Sequence, residues 1–97
     1  MLVKVNTAAV NALTAIPVSL EVTTEKAQQY MVFMVGLPDS VVRESRTRVE
    51  EAIKSSNFHL PPLTKIVVNF APADVRKEGS GYDLPLALGI LAANSLI

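Results

Sequence analysis

Ninety-seven residues make one domain, of a size that buries about 60–68% of the unfolded surface, and 49% hydrophobic against 19% charged residues excludes a disordered chain. Nine Lys and Arg balance nine Asp and Glu, and the balance is local: residues 39–58 carry four of each sign and residues 59–97 three of each, so there is no basic arm or acidic tail. The absence of Cys removes disulfides, thiolate nucleophiles and Cys-ligated zinc, and a single His59 leaves a His-based metal site or triad without partners.

From the N-terminus, Leu2 to Thr7 alternates, with Val3 and Val5 on one face and Lys4 and Asn6 on the other, the period of a half-buried strand. The apolar stretch that follows is broken by Asn11, Thr14 and Pro17, so it fits neither a signal peptide nor a membrane span, and the default compartment is the cytoplasm. Pro17 to Thr23 repeats the alternation with Val18, Leu20 and Val22 inward, and the polar run Thr23 to Gln29 predicts a connection. Tyr30 to Val35 is apolar throughout, which predicts a strand covered on both faces.

Gly36-Leu37-Pro38-Asp39 punctuates the chain before a helix expected over about Ser40 to Ser56. Its apolar stripe is Val42, Val49 and Ile53 with Ser45 and Ala52 alongside, and Glu44–Arg48 and Glu50–Lys54 stand at i,i+4 in the favourable acid-first order. Pro61-Pro62 closes that region, and Thr64 to Phe70 predicts a mostly buried strand, followed by a loop of about a dozen residues, long for a compact domain. A last helix is expected from an Asp83 cap, with Pro85 in the first turn. Leu84 to Ile97 has no charge, no cationic last turn and no closing Gly or Pro, which calls for burial on all sides and points to a piece of a longer protein, cut within or just after this helix. The element order gives an α/β (α+β two-layer) fold with a mixed sheet and two helices.

The loop from Asn69 to Asp83 holds the densest polar and flexible cluster. Gly79-Ser80-Gly81 before a helix offers backbone N–H groups to an anion, with Arg76 and Lys77 beside it. A nucleotide-binding loop needs GxxxxGK[ST], whereas Lys77 precedes Gly79, so a plain flexible turn is the stronger reading. Ser80 and Lys77 have the composition of a Ser–Lys dyad, but three residues apart in a turn that pairing is more often accidental. Arg43, Arg46 and Arg48 suggest a phosphate or nucleic-acid patch. At 100° per residue they point to different sides of the helix among Glu44, Glu50 and Glu51, which favours a solvated face. Arg43, Arg46, Arg76, Lys77, Gly79, Ser80 and Gly81 are therefore interaction candidates, and no catalytic, cofactor or metal residue stands out.

Two blocks, Val35-Gly-Leu-Pro-Asp-Ser-Val-Val-Arg-Glu-Ser-Arg-Thr-Arg-Val49 and Asn69-Phe-Ala-Pro-Ala-Asp-Val-Arg-Lys-Glu-Gly-Ser-Gly-Tyr-Asp-Leu-Pro-Leu-Ala-Leu-Gly-Ile-Leu91, resemble the N-terminal domain of the magnesium-chelatase-like AAA+ ATPases, the competence-associated ComM/YifB family. The opening Met1-Leu-Val-Lys-Val5 is similar as well, while Thr23 to Gln29 departs from the family's Gly-containing turn. The resemblance implies a Lon-protease-like fold, related to the second domain of a small-subunit ribosomal protein, with a left-handed βαβ crossover. It implies a non-catalytic assembly or regulatory domain over 1–97, C-terminally truncated, ahead of an ATPase module that binds ATP and magnesium. The remainder of its own chain would then be its partner, within a hexameric, DNA-associated motor for branch migration in natural transformation, and no membrane is involved.

Two rivals follow from the same fold type. A Ser–Lys peptidase would need its nucleophile where, by this resemblance, Gly81 stands, one position after Ser80, and a partner Lys beyond residue 97. A nucleic-acid-binding module would need Lys and Arg clustered on one face, against the local charge balance.

Overall fold

The computed structural model describes residues 1–11, 14–37, 39–71 and 82–97, with 9–11, 14–16 and 39 as backbone only. Strands β1 (Leu2–Asn11), β2 (Thr14–Lys26), β3 (Met31–Val35) and β4 (Thr64–Ala71) and helices α1 (Asp39–Ser55) and α2 (Asp83–Ala93) form one sheet and a helical layer. The sheet order is β1-β2-β4-β3. β1 pairs antiparallel with β2 from Leu2 opposite Thr23 to Asn11 opposite Thr14, β2 pairs antiparallel with β4, and β3 runs parallel to β4 with α1 as the crossover. The predicted α+β two-layer class with a mixed sheet and two helices is the one observed.

Both strands of the first hairpin outrun their alternating cores. The weakly patterned residues 8–11 and 14–17 are strand because each supplies the other's ladder partners, a long-range satisfaction that local periodicity does not display. Likewise Thr24, Glu25 and Lys26 are not part of a connection: they stay in β2 because they pair with Ile66, Lys65 and Thr64 of β4.

Val18, Leu20 and Val22 of β2 and Ile66, Val68 and Phe70 of β4 face the helices and are buried with Val49 and Ile53 of α1 and Leu86 and Ile90 of α2. The other face of the sheet, with Glu21, Glu25 and Asn69, is exposed. β3 therefore differs from its expectation. It is an edge strand with one cover, and Phe33 and Val35 lie on the open face, 49% and 54% exposed. Gly36 (φ +97°) turns the chain out of β3, where a Cβ would stand 2.6 Å from the Phe70 carbonyl oxygen.

On α1 the buried stripe is Ser45, Val49 and Ile53, with Val42 half-buried; Ala52 is exposed instead of lining it. Both helices end in the same way. Asn57 (φ +64°) and Ser95 (φ +58°) are left-handed, Phe58 N–H donates to Ile53 O and Leu96 N–H to Leu91 O, and Asn57 and Ser95 donate to Lys54 O and Ala92 O. These are Schellman closures, each followed by an apolar residue, Phe58 or Leu96, packed on the core. So α2 closes after Ala93 instead of running to Ile97.

α2 is also not buried all round. Gly89 brings it onto the hairpin, where a Cβ would meet Val22 Cγ2 at 2.8 Å and Val5 Cγ2 at 3.3 Å. That contact fixes which side faces inward and leaves Leu84 (68% exposed) and Leu88 (43%) outward. Asp83 is not the cap: Tyr82 occupies the N-cap position without a side-chain cap bond, and Asp83 sits in the first turn, where a carboxylate complements the helix dipole.

Candidate functional site on helix α1

Two bonded groups of polar side chains form on α1. On the β3 side, Tyr30 Oη donates to Glu50 Oε2 at 2.5 Å, Arg46 Nε donates to Glu50 Oε1 at 2.9 Å, and the Arg46 guanidinium lies 5.8 Å from the centre of the Tyr30 ring. Burial, and then the hydrogen bond into the Glu50 carboxylate, raise the Tyr30 pKa well above that of a free phenol. On the α2 side, Arg48 Nε donates to Asp83 Oδ2 at 2.6 Å and Nη2 to Oδ1 at 3.3 Å, a bidentate clamp from α1 to the first turn of α2, with Glu44 at 3.8 Å. That bond to Asp83 raises the Arg48 pKa further.

The i,i+4 reading is thus half realised. Glu44 meets Arg48, whereas Glu50 turns back to Arg46 and across to Tyr30, away from Lys54. Tyr30 carried no sequence signal as a site residue. It is twenty positions from Glu50, and only the parallel crossover brings the start of β3 under the second half of α1.

Next to this cluster a groove of about 320 Å³ is lined by Tyr30, Ile53, Phe58 and Leu60, with Glu50, Lys54, His59 and Pro62 around it. Glu50 is committed on both oxygens, so the groove presents apolar surface and two exposed nitrogen side chains, without a nucleophile beside a base.

Of the sequence candidates, Arg46 belongs to the Tyr30 cluster and Arg43 is exposed. Arg76, Lys77, Gly79, Ser80 and Gly81 lie outside the described residues. Among the described residues, no three of His, Asp and Glu converge as metal ligands, and no helix is long and apolar enough to cross a membrane.

A two-layer α+β domain with one βαβ unit and an internally paired helix face is the class that these elements define. The chain belongs to the family described as subunit ChlI of Mg-chelatase, whose pattern matches residues 20–97. It is 44% identical over 90 residues to the YifB protein of Escherichia coli (strain K12), 93% of this chain and 17% of that protein. Against competence protein ComM of Haemophilus influenzae it is 49% identical over 61 residues, 63% of this chain and 12% of ComM. The chain therefore spans less than a fifth of the curated relatives that it matches.

Proposed function

We propose that this chain acts as a non-catalytic assembly or regulatory domain of a magnesium-chelatase-like AAA+ ATPase, a cytoplasmic, DNA-associated motor active in natural transformation. The observation that carries the reading is the family match over residues 20–97 in relatives of which the chain spans 17% and 12%. The ComM name, a competence protein, supports the process. The α1 cluster agrees with an architectural role, since Tyr30, Arg46 and Arg48 spend their polar groups on Glu50 and Asp83 in the same domain.

ATP and magnesium belong, in this reading, to another module. The residues here do not fit them: no glycine of the four is followed by Lys, so the phosphate loop is lacking, and no acidic cluster converges among the described residues. The test is a titration of the chain with labelled ATP and magnesium, and in parallel with duplex DNA. No saturable ATP binding is expected, and DNA binding weak enough to vanish at physiological salt. Saturable ATP binding in the micromolar range overturns the reading, and so does tight DNA binding that is lost in Arg43→Ala or Arg46→Ala.

A further inference from the structure

Of the two edges of the described sheet, the outer edge of β3 is the less protected. Its five residues, Met-Val-Phe-Met-Val, contain no charge, proline or glycine, the devices that keep sheet edges from pairing. The opposite edge, β1, carries the exposed Lys4. Among the described residues β3 has one strand neighbour, β4, so one side of its backbone offers free N–H and C=O groups beside the exposed Phe33 and Val35.

We infer that this edge pairs with the same edge of a second copy of the chain, antiparallel about a two-fold axis through Phe33, to give a continuous eight-stranded sheet. The sequence of β3 is complementary to itself in that register: Phe33 faces Phe33, Met31 faces Val35, and Val32 faces Met34 of the second copy. Residues of equal parity meet, so Met31, Phe33 and Val35 of both copies stay on the open face and Val32 and Met34 stay on the helix side. On the open face, Val67 of β4 is level with Phe33, which places an unbroken apolar row of Val67, Phe33 and their two counterparts across the seam.

The charges permit it. Lys65 lies over Phe33, 5.5 Å from the ring centre, and its strand position is level with Met31. The backbone position of its counterpart is displaced by four residues along the strand and three strand spacings across, about 19 Å away. Each Lys65 also has Glu25 at 3.5 Å. A seam of five residues is at the small end of specific interfaces, so the dimer is concentration-dependent. The inference rests on the fold and is independent of the ATPase reading.

Analytical ultracentrifugation of the chain, from about 10 μM to about 1 mM, tests it. The expected result is a shift from one to two chains. Phe33→Lys and Phe33→Glu each set like charges directly opposite across the seam and should weaken association about tenfold or more, with an unchanged circular dichroism spectrum since the side chain is half exposed. Mixed one to one, they should associate again, because only a seam with residue 33 opposite itself pairs the opposite charges. A monomer throughout the range overturns the inference. So does a dimer that survives both substitutions but is lost in Leu88→Lys, which moves the contact to α2, or a mixture that fails to recover, which refutes the register.

Discussion

Tyr30 gains its importance from what it meets, since its hydroxyl is held by Glu50 and its ring lies beneath Arg46. Its pKa is raised by burial and by the Glu50 carboxylate, and that of Tyr82, the other of two tyrosines, is raised by burial. Titrating tyrosinate absorbance should therefore show neither phenol ionising near pH 10 in the folded chain and both doing so in denaturant. The sign follows from a folded pKa above the unfolded one: the extra stability is fully present below about pH 10 and is lost as pH rises through the folded values, because there the unfolded chain has already released protons that the native one retains. Alkaline unfolding above pH 10 is the expected outcome; Tyr30 titrating normally in the native state would show that its burial and its bond to Glu50 do not persist. Tyr30→Phe removes the donor and leaves the ring, and should cost about 1 kcal/mol, a fall in Tm of about 4–8 °C. At this scale the sequence displayed residue types without partners. Glu50 stands four positions from both Arg46 and Lys54, and the choice between them was made by a tyrosine on another element.

The helices show how much of an element local chemistry specifies. The start of α1 within a residue of Ser40 and its buried positions Val49 and Ile53 were legible from spacing, as was the inward triplet of β2, whereas β4 was legible only as a mostly buried strand. Helix ends were less so. Asn57 is a known left-handed closer, but Ser95 adopts φ +58° with no such preference, and only the donation of Leu96 N–H to Leu91 O reveals why. Ser95→Gly should relieve that conformation and stabilise the chain by about 0.5–1 kcal/mol, measured as a higher denaturant midpoint at unchanged m. Gly89 runs the other way. Alanine there gains up to about 1 kcal/mol of helix propensity but forces a methyl onto the stiff Val22 side chain, an overpacking cost of about 1–3 kcal/mol. Gly89→Ala should thus be destabilising by about 1 kcal/mol, and a stabilised variant would mean that α2 can lift off the hairpin freely.

For the whole molecule, sequence periodicity supplied six elements in the right order but not their arrangement. Nothing in Tyr30 to Val35 distinguishes a central strand from an edge strand, because the apolar run is the same, and its place beside β4 alone depends on β2 having taken the other side of β4. The same limit applies to the last helix, whose uncharged sequence carries no face: the inward side is chosen by the shape of Gly89 against Val5 and Val22. The choice makes two chemically similar positions behave differently. Ile90 (2% exposed) is in the core between the helices and the sheet, and Ile90→Ala should cost about 2–5 kcal/mol through lost burial and the cavity left behind. Leu88 is two residues away on the outward side, and Leu88→Lys should change stability by no more than about 0.5 kcal/mol in this chain. Thermal unfolding of the two variants separates a one-sided helix from one covered all round, since a helix packed on every side would lose several kcal/mol at Leu88 as well, from the buried and unpaired ammonium.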